Sequence, residues 1–223
     1  MTGKDDIKTQ IIQQGLLPLY YHDSAEVSFN ILKALYKAGV RIIEFTNRGE
    51  NALDNFLFLQ KAVKSEMTDM KIGIGTITSQ TDAEIFIAAG AHFIVCPIMD
   101  NSVAACANKK DLLWIPGCMT PTEINAARDN GASLVKIFPA NILGPAYISS
   151  IKEIFRDLLF IPTGGVEMNK DNIQSWFDAG VAAVGIGSRL FTKSILSNHD
   201  YDSLTDDCAD LLMIVKDAKQ HKK

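Results

Sequence analysis

The chain has 223 residues, 47% hydrophobic and 22% charged, with a net charge of −4. A globular chain of this length can bury its own core without disulfides or a structural metal. Mild acidity, with no basic run beyond the tail "KQHKK" (219–223), gives nucleic-acid binding little electrostatic support, and no apolar run reaches the ~20 residues of a membrane span.

The polar, acid-bearing start "MTGKDDIKTQ" is unlike a secretory leader and reads as a short helix ahead of the first strand. From there apolar β-type runs alternate with amphipathic segments. "LLPLYY" (16–21) precedes a helix over 24–37 capped by Asp23 or Ser24. "VRIIEFT" (40–46) precedes a helix over 51–64, and "KIGIGT" (71–76) one over 79–89 closed by Gly90. "HFIVCP" (92–97) leads to a helix near 101–109. "LLWIPG" (112–117) leads to "TPTEINAARDNG", where Thr120 caps, Pro121 opens and Gly131 ends the helix. "SLVKIFP" (133–139) is followed by a helix near 145–157, and "LLFIPTGG" (158–165) by one near 169–179 ended by Gly180. "AAVGIGS" (182–188) precedes a terminal helix near 201–218, and the basic tail reads as a frayed, solvated end.

Eight strand-like runs, each followed by a helical segment, repeat every ~20–28 residues. The strands are continuous apolar runs, as a parallel sheet covered by helices requires. We therefore expect one compact (β/α)8 TIM barrel over residues 1–223, α/β in class, with a short N-terminal helix. An open doubly wound sheet is the competitor. Cys96, Cys106, Cys118 and Cys208 form no CxxC and no zinc spacing with the scattered histidines. They read as free thiols of a reducing, cytoplasmic compartment.

Charged residues within strands mark the candidate site, because active sites of this fold lie at the C-terminal strand ends. The period of two puts Ile42, Glu44 and Thr46 on one face, and Leu134, Lys136 and Phe138 on another. A carboxylate against the helix layer would be costly, so the barrel mouth is the cheaper place for Glu44 and for Lys136. Arg48 follows just past its strand, able to meet an anion, and Thr76 ends another as a hydrogen-bond donor. Thr163, Gly164 and Gly165 follow the seventh predicted strand, and Gly187 and Ser188 the eighth. Those two loops are the usual phosphate cradle of this fold. "GIGTIT" (73–78) lacks the third glycine and the acidic residue of a dinucleotide fingerprint, which argues against a nicotinamide or flavin. We expect neither cofactor nor metal.

Desolvation disfavours the charged form of an amine, so a lysine in a core strand can supply a neutral nucleophile for a carbonyl carbon. A nearby carboxylate can move the protons that Schiff-base chemistry requires. Lys136, Glu44 and a phosphate cradle therefore suggest an imine-forming aldolase acting on a phosphorylated keto acid or sugar. Two other readings stand beside it. One is an isomerase or epimerase using the pair as plain acid and base, and the other is a non-catalytic ligand-binding barrel.

"GVRIIEFTNRGENALD", "GIGT", "FIVCP", "IPGCMTPTE", "VKIFPA", "IPTGGV" and "GIGSRL" resemble, in order and spacing, the bacterial 2-keto-3-deoxy-6-phosphogluconate (KDPG) / 4-hydroxy-2-oxoglutarate (KHG) aldolases. The resemblance runs from about residue 10 to 195. It implies a class I aldolase of (β/α)8 fold, a cytoplasmic homotrimer, with a small phosphorylated keto acid as substrate. It also implies Lys136 as the Schiff-base lysine and Glu44 as acid/base through a water. Arg48 and Thr76 would hold the pyruvyl carboxylate, Thr163 the bound keto acid, and Gly164, Gly165, Gly187 and Ser188 the phosphate. Pro97 and Phe138 would wall the pocket. The chain departs from the family pattern at Tyr20, Tyr21 and His22, where many relatives place an arginine, at Ile98 and Met99, which would narrow the pocket, and at Ile186.

Overall fold

Alternating strands and helices define the computed structural model, which describes residues 3–221. After α1 (Lys4–Gln14) come β1 (Leu16–Tyr20), α2 (Ala25–Lys37), β2 (Ile42–Thr46), α3 (Ala52–Glu66), β3 (Lys71–Gly75), α4 (Gln80–Ala88), β4 (Phe93–Val95) and α5 (Asn101–Lys109). β5 (Leu113–Ile115), β6 (Gly117–Cys118), α6 (Pro121–Asp129), β7 (Leu134–Ile137), α7 (Ala140–Lys152) and β8 (Leu159–Pro162) follow. α8 (Lys170–Asp178), β9 (Val184–Ile186), α9 (Lys193–Asn198) and α10 (Tyr201–Gln220) complete the order.

All the ladders are parallel, but they do not form one closed eight-stranded sheet. Six strands run in the order β5-β4-β3-β2-β1-β9 and three in the order β6-β7-β8. The fifth predicted strand is split at Pro116, which has no N–H to give to a ladder. Its carbonyl still accepts from Lys136 N at 2.8 Å, which carries β7 alongside the break. At the other edge β8 and β9 part, held by the single bridge Thr163–Gly185 and by Ala182 N to Phe160 O at 2.9 Å. The expectation of a closed ladder is met to that extent: an α/β fold of parallel strands in two hydrogen-bonded sheets.

Alternation along the strands separates two cores. Outward positions such as Ile43, Phe45, Ile74, Val135 and Phe160 pack against the helices. Inward positions Leu17, Ile42, Phe93, Val95, Leu113, Ile115, Leu134, Ile161 and Ala183 form a second core, joined by Ile7 and Ile11 of α1. Ile7 and Ile11 are four apart and share one helix face, so α1 closes the N-terminal end of the strands. Each fully buried apolar side chain contributes about 1.5–3 kcal/mol.

Local signals set the helix starts. Ser24, rather than Asp23, caps α2, and Ser79, Asp100, Thr120, Asn169 and Asp200 cap α4, α5, α6, α8 and α10. The helix expected near 145–157 instead spans Ala140–Lys152, because a first turn from Ala140 runs into a second segment across Gly144 (φ 73°) and Pro145. The short α9 follows the Thr192 cap, between β9 and the terminal helix. The tail is helical through Gln220: Lys219 Nζ donates to the carbonyls of Ile12 (2.6 Å) and Gln13 (2.8 Å). Residues 222–223 of the basic run lie outside the described residues. Among the described residues no helix is long and apolar enough to cross a membrane.

Candidate active site

Because Ile42 and Leu134 belong to the inner core, the period of two puts Glu44 and Lys136 one layer above them, on the same inward face. Both are buried, Glu44 1% and Lys136 5% exposed. Lys136 Nζ lies 3.8 Å from Glu44 Oε1, close enough for an ion pair but longer than a hydrogen bond. That carboxylate oxygen is buried and, among the described residues, has no hydrogen-bond partner. Room for it comes from β3, where a Cβ on Gly75 would overlap the Glu44 carboxylate. Gly73, paired with Glu44, yields its space to the Phe93 ring in the same way. The glycines that began like a nucleotide fingerprint therefore make room for neighbouring side chains.

Lys136 opens into a cavity of about 300 Å³ at the C-terminal ends of the strands. On one side stand Arg48, after β2, and Thr76, after β3, with Arg48 Nε donating to Thr76 Oγ1 at 3.4 Å. Thr76 has φ 61°, a left-handed conformation that costs a non-glycine residue roughly 1–2 kcal/mol. Pro97 and Phe138 form further wall, and the Phe138 ring centroid is 5.4 Å from Lys136 Nζ. Opposite lie Thr163, Gly164 and Gly165 from the loop after β8, and Gly187 and Ser188 from the loop after β9. Gly164 and Gly165 both take positive φ (89° and 81°), which glycine adopts without strain. The loop is tied to the start of α7 by Ala140 N to Thr163 O and Asn141 N to Gly164 O, each 2.9 Å. Among the described residues no group of three His, Cys, Asp or Glu could hold a metal.

Every residue given a catalytic, substrate or phosphate role from the sequence lines this cavity except Glu44, which stands behind Lys136. Ile98 and Met99 do not line it; Ile98 is exposed, and Met99 packs against the outer core. Tyr20, Tyr21 and His22 are engaged elsewhere. Tyr20 donates to Ser28 O, Tyr21 to Asp23 Oδ1, and His22 Nδ1 accepts from Ser24 N. Sequence reasoning missed Arg189, which lines the cavity directly after Ser188. The signal was a basic residue following the Gly-Ser turn of "GIGSRL".

The family model for KDPG and KHG aldolase matches residues 7–206. The chain belongs to that family. A 2-dehydro-3-deoxy-phosphogluconate aldolase of Pseudoalteromonas atlantica is 30% identical over 211 residues, 92% of this chain and 94% of that one. A probable 2-dehydro-3-deoxy-6-phosphogalactonate aldolase of Rhizobium meliloti is 30% identical over 188 residues, 84% and 86% of the two chains. The KDPG aldolase of Legionella pneumophila shares the fold, with a TM-score of 0.83 at 24% identity over 91% of this chain and 96% of that one. This aldolase is therefore a carbon–carbon lyase, which sets aside the isomerase and the non-catalytic readings.

Proposed function

We propose that this aldolase is a class I, Schiff-base enzyme that cleaves 2-dehydro-3-deoxy-6-phosphogluconate to pyruvate and glyceraldehyde 3-phosphate, and 4-hydroxy-2-oxoglutarate to pyruvate and glyoxylate. One observation carries the reading. A buried lysine amine faces a cavity, 3.8 Å from a buried carboxylate oxygen that, among the described residues, has no hydrogen-bond partner.

Lys136, as the free amine, attacks C2 of the keto acid, and the carbinolamine loses water to give an iminium. Glu44, through a bridging water, takes the proton of the C4 hydroxyl. The C3–C4 bond breaks, its electron pair moves into the iminium to form an enamine, and the aldehyde leaves. The enamine is protonated at C3, and hydrolysis releases pyruvate and the lysine. Arg48 and Thr76 hold the carboxylate, Thr163 the bound keto acid, and Pro97 and Phe138 the apolar wall. Gly164, Gly165, Gly187 and Ser188 receive the phosphate with backbone N–H groups.

The two sheets act as one closed (β/α)8 barrel, a single domain working without cofactor or metal in the cytoplasm as a homotrimer. The exposed apolar side chains Leu57, Phe58 and Ile85 on adjacent helices favour an oligomer, which sedimentation would measure. Incubation with pyruvate and borohydride tests the chemistry. We expect a permanent pyruvyl adduct on the peptide carrying Lys136; an unmodified peptide overturns the reading. A coupled pyruvate-release assay across gluconate- and galactonate-type phospho acids fixes the substrate.

A further inference from the structure

We infer that Arg189 is the side chain by which this aldolase distinguishes phosphorylated from unphosphorylated keto acids. The inference rests on the class I aldolase reading of the cavity. Three cations line that cavity, Arg48, Lys136 and Arg189, and among the described residues no carboxylate lines it. Lys136 faces Glu44, and Arg48 touches Thr76 on the opposite side from the glycine loops. A 2-keto-3-deoxy-6-phospho acid is anionic at both ends, and the carbon that Lys136 must reach lies beside the carboxylate. With Arg48 at the carboxylate end, Arg189 is the cation left for the distal end, directly after Gly187 and Ser188.

The guanidinium is not idle in this structure. Its Nη2 lies 2.6 Å from Glu167 Oε1, in a pair whose side chains are 58% and 39% exposed. Exposed pairs of this kind contribute little, whereas a guanidinium on a phosphate dianion forms charge-assisted, often bidentate hydrogen bonds. Glu167 sits in the loop that follows Gly165, with its N–H on Asn172 Oδ1 at 2.9 Å. It holds Arg189 at the cavity rim as a partner that a phosphate can replace. The first strand offers no competing cation, since Tyr20, Tyr21 and His22 are engaged with Ser28, Asp23 and Ser24.

The test compares wild type, Arg189→Met and Arg189→Lys on 2-dehydro-3-deoxy-6-phosphogluconate and its unphosphorylated counterpart. Arg189→Met should raise KM for the phosphorylated acid roughly 10- to 100-fold, with kcat within about twofold. It should shift kcat/KM for the unphosphorylated acid by less than about twofold, and Arg189→Lys should recover part of the lost KM, because charge returns without the fork. Equal losses on both substrates, or an unmoved KM, overturn the assignment. Borohydride trapping with pyruvate, which carries no phosphate, separates the two levels. If pyruvate fails to modify Lys136 in wild type, the aldolase reading itself falls. If trapping is normal in Arg189→Met while KM does not move, only the role of Arg189 falls.

Discussion

Gly75 and Glu44 occupy a space that has room for only one side chain. Adding a Cβ at Gly75 would push the Glu44 carboxylate from its place beside Lys136, with no solvent to turn into, because Glu44 is buried. Gly75→Ala should therefore destabilise the protein by about 1–3 kcal/mol through overpacking, and lower kcat by roughly 10²-fold through misplacement of the carboxylate. Steady-state kinetics and denaturant titration measure the two effects separately. Glu44→Gln keeps the shape and removes the base. It should lower kcat by about 10²–10⁴-fold while borohydride still traps pyruvate on Lys136; a variant with more than a tenth of wild-type kcat would rule out Glu44 as the proton carrier. Glu44 and Lys136 were legible in the sequence because charged residues interrupt apolar strands. Gly75 was visible but its purpose was not, since the clash that demands it arises from register between neighbouring strands. Arg189 stayed hidden because a lone arginine after a turn looks like any solvated residue until the fold turns it toward a cavity.

At the scale of elements, α1 and β4 carry testable weight. Ile11 is fully buried in the inner core although it belongs to a helix at the end of the strands. Ile11→Ala should cost about 2–5 kcal/mol, read as a lower denaturant midpoint, whereas a helix merely lying on the surface would lose far less. Just before β4, His92 Nδ1 lies 3.2 Å from Ile72 N and 3.1 Å from Ile72 O, so one tautomer accepts and the other donates. Burial holds its pKa below the ordinary imidazole value of 6.5, against the raising effect of the Ile72 carbonyl and with help from Lys71 and Lys64. Above pH 6.5 the ring is neutral in both states and its contribution is complete. As the pH falls below 6.5 the unfolded chain takes up the proton first, so stability is lost. The denaturation midpoint should fall between about pH 7 and 5, and His92→Gln should flatten that slope; an unchanged slope would count against it. Caps and glycine stops made most elements legible, since they act within one or two turns of chain. The kink at Gly144 and the split at Pro116 were harder to see, because each depends on what the neighbouring strand or helix permits.

Across the whole molecule, α10 raises a question about cooperativity. The family match ends at residue 206, yet α10 runs to Gln220. Leu204, Cys208, Leu211, Val215 and Ala218 are buried along one stripe of that helix within the outer core, and Lys219 fastens its end to the carbonyls of α1. An extension built this way should unfold with the barrel rather than ahead of it. The cysteines supply the probes. Cys96, after β4, Cys118, in β6, and Cys208, in α10, are buried, and burial pushes each thiol up to about 12. Thiolate is the reactive form, so at pH 8 none of the three should react while the fold is closed. Cys106 is half-buried beside Glu84, and its thiol is also raised, first by burial, so it should react slowly but first. The other three should then label in a single phase as denaturant approaches the midpoint. If mass spectrometry finds Cys208 modified well before Cys96 and Cys118, α10 opens as a separate unit and its anchoring through Lys219 does not couple it to the strands.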